Sequence, residues 1–203
     1  GILLAGTSPK IFRSTDNGNL WSPGGTGPTD FIRSLVRTPA GEFFSGSGSG
    51  IHFSTDDGVS WNSRNNGLTN TIVGSLVRNG NGDLFAGTNG FVFRSTDNGL
   101  NWFEASNGLP NSFINSLCFG GNGSLYASTV DSGIFITTDN GLSWTPQNSG
   151  LPPLNTFFGT SSLAYSNDGY LFTGINSAFD VRAGVFRSIN PMTSVKSSEE
   201  NFP

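Results

Sequence analysis

An all-β chain of about five four-stranded units is what the 203-residue sequence predicts, and three observations carry that prediction. One eight-residue phrase returns with a period of 40 to 42 residues along the chain. Glycine supplies 29 residues while charged residues make up only 12%, and the Lys, Glu and Ala that build long surface helices are scarce. Apolar residues alternate, or run in short stretches bounded by Gly, Asn, Asp and Pro, which is the pattern of strands and hairpins rather than of helices. Four short strands in about 41 residues is the size of one propeller blade, a sheet repeated radially so that each face is buried on its neighbour. The predicted architecture is therefore a β-propeller of about five blades, with the first and last incomplete.

The phrase first reads Ser14-Thr15-Asp16-Asn17-Gly18-x-x-Trp21. It recurs as Ser54 to Trp61 around Asp56 and Gly58, as Ser95 to Trp102 around Asp97 and Gly99, and as Thr137 to Trp144 around Asp139 and Gly141. The four tryptophans of the chain all belong to it. Ser188-Ile189-Asn190-Pro191 reads as a decayed fifth copy. A second phrase keeps the same register: a glycine, two apolar residues and a small residue, at Gly1–Gly6, Gly41–Gly46, Gly82–Gly87, Gly123–Ser128 and Gly169–Gly174. Upstream of the last four stands a Ser-Leu pair, at Ser34, Ser75, Ser116 and Ser162.

In the second unit these signals predict strand A over Phe31–Arg37, strand B over Glu42–Ser47, strand C over Gly50–Thr55 and strand D over Val59–Arg64. Asn81-Gly82, Asp57-Gly58, Asn98-Gly99 and Asp168-Gly169 offer the positive φ angles that tight hairpins need. The propeller is expected to occupy residues 1–190, in units of about 1–29, 30–70, 71–111, 112–155 and 156–190. Residues 191–203 are expected to form a polar tail or linker, with Thr193–Lys196 as a poor candidate for a last strand. The first unit lacks a strand A and the fifth lacks a clear strand D, so the chain is expected to be a trimmed piece of a longer polypeptide. Open terminal blades expose sheet edges, which invites self-association.

A catalytic site is normally built once, whereas a residue that recurs in every blade builds the blade. The Asp of the phrase falls at the turn between strands C and D, where a carboxylate can accept hydrogen bonds from turn amides. The Gly is expected in the left-handed conformation, and the Trp is expected to fold over the turn and bury its ring. One carboxylate per turn falls short of the six to eight oxygens that calcium takes, so no metal is assigned.

The phrase Ser/Thr-x-Asp-x-Gly-x-x-Trp resembles the Asp-box, or BNR repeat. That repeat is found in sialidases, xyloglucan-hydrolysing glycosidases, sortilin-type receptors and photosystem II assembly-factor-like propellers. The resemblance implies a propeller fold with the box as a turn device remote from the active face, and it implies little about function. The tail Ser-Ser-Glu-Glu-Asn-Phe-Pro also resembles the linker before C-terminal sorting domains of secreted Bacteroidetes-type proteins.

If the resemblance to sialidases extended to chemistry, it would imply three converging arginines, a Tyr–Glu nucleophile pair and an acid/base Asp. Arg13, Arg94 and Arg187 share one register position near the box, which reads as structural pairing. Tyr126 takes the slot of Phe44, Phe85 and Phe172, and the single histidine, His52, takes that of Phe12, Phe93, Phe135 and Phe186. Cys118 replaces Val36 and Val77 as a small core residue. The sequence thus predicts no catalytic residue and no cofactor. A net charge of −4 excludes a nucleic-acid partner. No apolar run reaches the ~20 residues that span a bilayer, and one cysteine excludes a disulfide framework.

Binding is expected on the face of the D–A and B–C loops, opposite the boxes. Those loops are Ser22–Asp30, Asn65–Thr71, Asn107–Ser112 and Asn148–Thr156, with Val130–Gly133 and the long Asn176–Gly184. Their non-repeating residues Asp30, Asp131, Phe179, Asp180 and Arg182 are the candidate contacts for a glycan or a protein. The function expected is a secreted or surface recognition or scaffold module. A fragment of a sialidase-like or other glycoside hydrolase, and an assembly-factor-like propeller, are the alternatives.

Overall fold

A computed structural model of the chain describes residues 1–121, 123–151, 158–177, 184–188 and 190–192. Among them every regular element is a β-strand, and each sheet is an antiparallel meander in chain order. Blade 1 holds β1 (Leu3–Gly6), β2 (Ile11–Ser14) and β3 (Ser22–Pro23). Blade 2 holds β4 (Ile32–Arg37), β5 (Phe43–Ser47), β6 (Gly50–Ser54) and β7 (Asn62–Ser63). Blade 3 holds β8 (Val73–Arg78), β9 (Leu84–Thr88), β10 (Val92–Ser95) and β11 (Phe103–Glu104). Blade 4 holds β12 (Ile114–Phe119), β13 (Leu125–Thr129), β14 (Gly133–Thr137) and β15 (Thr145–Pro146). Blade 5 holds β16 (Phe158–Tyr165), β17 (Leu171–Ser177) and β18 (Gly184–Arg187). As expected, blade 1 lacks the inner strand; blade 5 shows three strands among the described residues.

The outer strands are shorter than the sequence suggests. β7 pairs only at Asn62 and Ser63, not over Val59–Arg64. Residues just after Asp56 are spent in its turn, where the carboxylate binds the amides of Val59 and Ser60, so the ladder starts late. The Thr193–Lys196 candidate lies outside the described residues. Met192 is not solvated tail: its amide donates to the Gly169 carbonyl at 2.7 Å, and its side chain packs on the last core cluster.

The inner strands lie side by side, β4 against β8, β8 against β12 and β12 against β16. Each carries a one-residue register shift, between Ile32 and Ser34, Val73 and Ser75, Ile114 and Ser116, and Thr160 and Ser162. The serine after the shift reaches the next blade. Ser34 Oγ accepts from the Leu76 amide at 2.9 Å, Ser75 Oγ from Leu117 at 3.0 Å, and Ser116 Oγ from Leu163 at 3.2 Å. The Ser-Leu pair of the sequence is therefore a latch from one blade to the next, a role that its spacing alone does not reveal.

Core clusters fill the seams between blades. Phe44, Ile51 and Phe53 of blade 2 meet Leu84, Ala86, Phe93 and Trp102 of blade 3. Phe85 and Val92 of blade 3 meet Leu125, Ala127, Phe135 and Trp144 of blade 4. Tyr126 and Ile134 of blade 4 meet Leu171 of blade 5. The alternation of strand residues between two buried faces follows from the sheet pleat.

Candidate functional site

Each repeated turn closes on itself. In the second copy Ser54 Oγ donates to Asp56 Oδ1 at 2.8 Å and accepts from the Gly58 amide at 3.0 Å. Asp56 Oδ1 accepts from the Ser60 amide at 2.8 Å, and Oδ2 from Ser60 Oγ at 2.5 Å. The same pattern joins Ser14, Asp16 and Leu20, then Ser95, Asp97 and Asn101, then Thr137, Asp139 and Ser143. The chain turns left-handed twice, at Asn17-Gly18, Asp57-Gly58, Asn98-Gly99 and Asn140-Gly141. At Gly82 and Gly169 only the glycine does so, not Asn81 or Asp168. Hydrogen bonds from Ser60 and Ser143 hold the Asp56 and Asp139 carboxyls down to about 2, and Asp16 and Asp97 are lowered by the same kind of donor. Asp56, Asp97 and Asp139 accept turn donors on both carboxylate oxygens, and Asp16, with Leu20 in place of the side-chain donor, on one. Among the described residues no cluster of His, Cys, Asp or Glu suits a metal ion.

The tryptophans do not share one fate. Trp102 and Trp144 are buried, with Nε1 donating to the preceding blade's Arg64 carbonyl at 2.9 Å and Ala105 carbonyl at 2.8 Å. Trp21 is 43% exposed and Trp61 half-buried, and each donates instead to its own turn, to Gly18 and Gly58. The expectation that every ring is buried over its turn is corrected here: the two buried rings are those whose N–H donates to a carbonyl of the preceding blade.

Antiparallel strands put the A–B and C–D turns at one end of each blade and the B–C and D–A connections at the other. At that other end of blade 2, Asp30 is half-buried, with Oδ1 enclosed and unpartnered. Beside it Phe31 is 62% exposed, and the exposed Arg33 holds its guanidinium 5.8 Å from the Phe31 ring. Phe31 shares its register with Ile72, which is 38% exposed, and with the half-buried Phe113. Phe31 and Arg33 were not singled out by the sequence. Their signal was the apolar residue that opens each inner strand. The group offers an aromatic face, a cation and a carboxylate, which is chemistry for stacking and hydrogen bonding.

Asp131 is engaged already: Ser112 Oγ donates to its Oδ1 at 2.6 Å and Ser132 Oγ at 2.8 Å, and these bonds lower its pKa. Phe179, Asp180 and Arg182 lie outside the described residues. The three register-matched arginines do not converge. Arg13 Nε donates to the Asp57 carbonyl at 2.9 Å, Arg94 pairs with Asp83 at 2.7 Å, and Arg187 lies over the Tyr170 ring at 4.5 Å. Tyr126 is buried at 1% exposure, and burial pushes its hydroxyl up to about 12. Burial likewise raises the Cys118 thiol.

His52 and Ser45 face each other across the β5–β6 ladder. Ser45 Oγ and His52 Nδ1 are buried without partners. Burial lowers the His52 pKa, partly countered by the charge of Asp30. Ser45 is wholly enclosed, so it has no access to a substrate.

The DUF6242 beta propeller domain family matches residues 41–191, and the chain belongs to that family. No curated protein matches the chain. Among solved structures, the extracellular domain of a B. thetaiotaomicron protein described as a one component system is 18% identical, with a TM-score of 0.73 over 92% of this chain and 26% of its own. The GH74 xyloglucanase of Xanthomonas campestris is 16% identical, with a TM-score of 0.71 over 94% of this chain and 35% of its own. YCF48 bound to D1 peptide is 20% identical, with a TM-score of 0.62 over 85% of this chain and 57% of its own. The chain thus spans about a quarter to a third of the first two, and these likenesses establish the fold alone.

Proposed function

Starting from membership of that propeller family, we propose that the chain is an extracellular recognition or scaffold module of the Asp-box type, which binds a glycan or a protein surface without turning it over. One observation carries the reading. The repeated carboxylates are engaged by donors of their own turns, while Asp30, Phe31 and Arg33 stand together at the opposite end. The extracellular location of the B. thetaiotaomicron domain supports a secreted or surface setting.

Likeness to the xyloglucanase favours a second reading, a fragment of a glycoside hydrolase whose site needs further blades. A glycan array run beside turnover assays on a fluorogenic sialoside and on xyloglucan separates the two. Binding without turnover is expected, with Phe31→Ala weakening it about tenfold through loss of stacking. Turnover by this chain would transfer the assignment to the hydrolase reading. A stable protein partner in a pull-down, with an empty array, would favour the assembly-factor-like reading, in keeping with the likeness to YCF48 bound to D1 peptide.

A further inference from the structure

The seam between blades 4 and 5 contains an open cavity of about 280 Å³ whose lining includes Ile134, Gln147, Leu151, Leu171, Phe186 and Met192, with Arg187 and further polar residues at its rim. Five of these residues have register counterparts at both inner seams. Ile134 corresponds to Ile51 and Val92, Leu151 to Leu68 and Leu109, Leu171 to Leu84 and Leu125, and Phe186 to Phe93 and Phe135. Those counterparts are the residues that enclose Trp102 in one seam and Trp144 in the next. Gln147 occupies the position of Arg64 and Ala105, whose carbonyls receive the two indole N–H groups. The decayed fifth phrase supplies no tryptophan. Met192 packs at the margin, its backbone tied to Gly169 and Tyr165.

We infer that this cavity is a binding site for a free planar aromatic of indole size bearing one N–H donor. The chain itself supplies the precedent, because the same slot holds an indole twice. Size agrees: an apolar protein cavity of roughly 150 Å³ accepts benzene, so about 280 Å³ leaves room for a fused bicycle. The apolar walls drive entry, and the carbonyl at position 147 orients the ring as its counterparts do in the other seams.

Indole titrated into the whole chain, followed by calorimetry and by backbone NMR shifts, tests this. The expected result is one saturable site, with shifts centred on Gln147, Leu151 and Phe186. 1-Methylindole, which lacks the donor, is expected to bind about tenfold more weakly. Met192→Trp, which fills the slot from its margin, is expected to abolish binding while the melting temperature holds or rises. Trp144→Ala, which empties the homologous slot, is expected to raise the stoichiometry from one to two. Absence of saturable binding, or equal affinity in Met192→Trp while that variant stays folded, overturns the inference.

Discussion

The seam between blades 2 and 3 and the seam between blades 1 and 2 carry the same turn phrase, yet they are built differently. At the former, Trp102 enters the neighbouring blade and its N–H meets the Arg64 carbonyl. Around it stand Ala86 and Phe93, with Phe44 and Ile51 opposite. At the latter the equivalent positions hold Ser45, His52 and Trp61, and Trp61 stays outside. The neighbouring segment explains the difference. In blade 2 Asn65 Oδ1 accepts from the Ile51 amide at 2.7 Å and holds the D–A connection in place. Blade 1 has Gly25 instead, and its glycine-rich segment lies so near the second turn that a Cβ on Gly25 would overlap the Val59 carbonyl. A motif therefore fixes its own turn, while the neighbour decides what its tryptophan does.

Truncating the rings should break this contrast most sharply. Trp102→Ala removes a fully enclosed ring and leaves the Arg64 carbonyl without its donor, and a loss of about 3–5 kcal/mol is expected. Trp21→Ala, at an exposed ring, should cost about 1 kcal/mol or less. Trp61→Ala should fall between them. Denaturant unfolding of the three variants measures the order, and equal losses would sink the account of the seams.

A smaller effect should come from His52, the polar intruder at the first seam. Its folded pKa lies below its ordinary value of 6.5 because burial disfavours the charged ring. Between those two values the unfolded chain binds more protons, so stability is complete above about 6.5 and declines as pH falls toward the folded pKa. His52→Phe restores the residue of blades 3 and 4 and removes a buried nitrogen that lacks a partner. It should stabilise the chain by about 1 kcal/mol and flatten the pH dependence below about 6.5. Unfolding midpoints at several pH values test both parts, and an unchanged slope would remove His52 from the explanation.

The fold was legible because its signals are local and repeated. Asp56, Gly58 and the Ser54 hydroxyl act within five residues of chain, so spacing alone reveals them. The burial of Trp102 was not legible, since it depends on a blade about 40 residues away in sequence, and nothing in the phrase separates it from the exposed Trp21. Phe31 and Arg33 were missed for a related reason. Their proximity to Asp30 depends on how strand A begins, and nothing in spacing distinguishes Phe31 from a core residue. Asp131 had the right location, but its carboxylate is engaged by serines that come close only in the folded chain.

The smallest expected effect belongs to the feature that the seams share. The carboxyls of Asp56 and Asp139 lie near 2 because hydroxyl and amide donors favour the ionised form. A depressed folded pKa adds stability that is complete above the unfolded value near 3.8 and disappears as pH falls through about 2. These groups are exposed to solvent, so each contribution is screened and modest. Acid unfolding between pH 4 and 2 should therefore be gradual. Asp139→Asn keeps an oxygen to accept the Ser143 amide but carries no charge and has no proton to gain, so it should remove one step of the acid dependence and lower stability at pH 7 by the same modest amount that the parent loses when Asp139 is protonated. Fluorescence-detected acid titration of the variant beside the parent measures this. A loss at pH 7 much larger than the parent's own acid step would mean that the asparagine disrupts the turn beyond removing its charge.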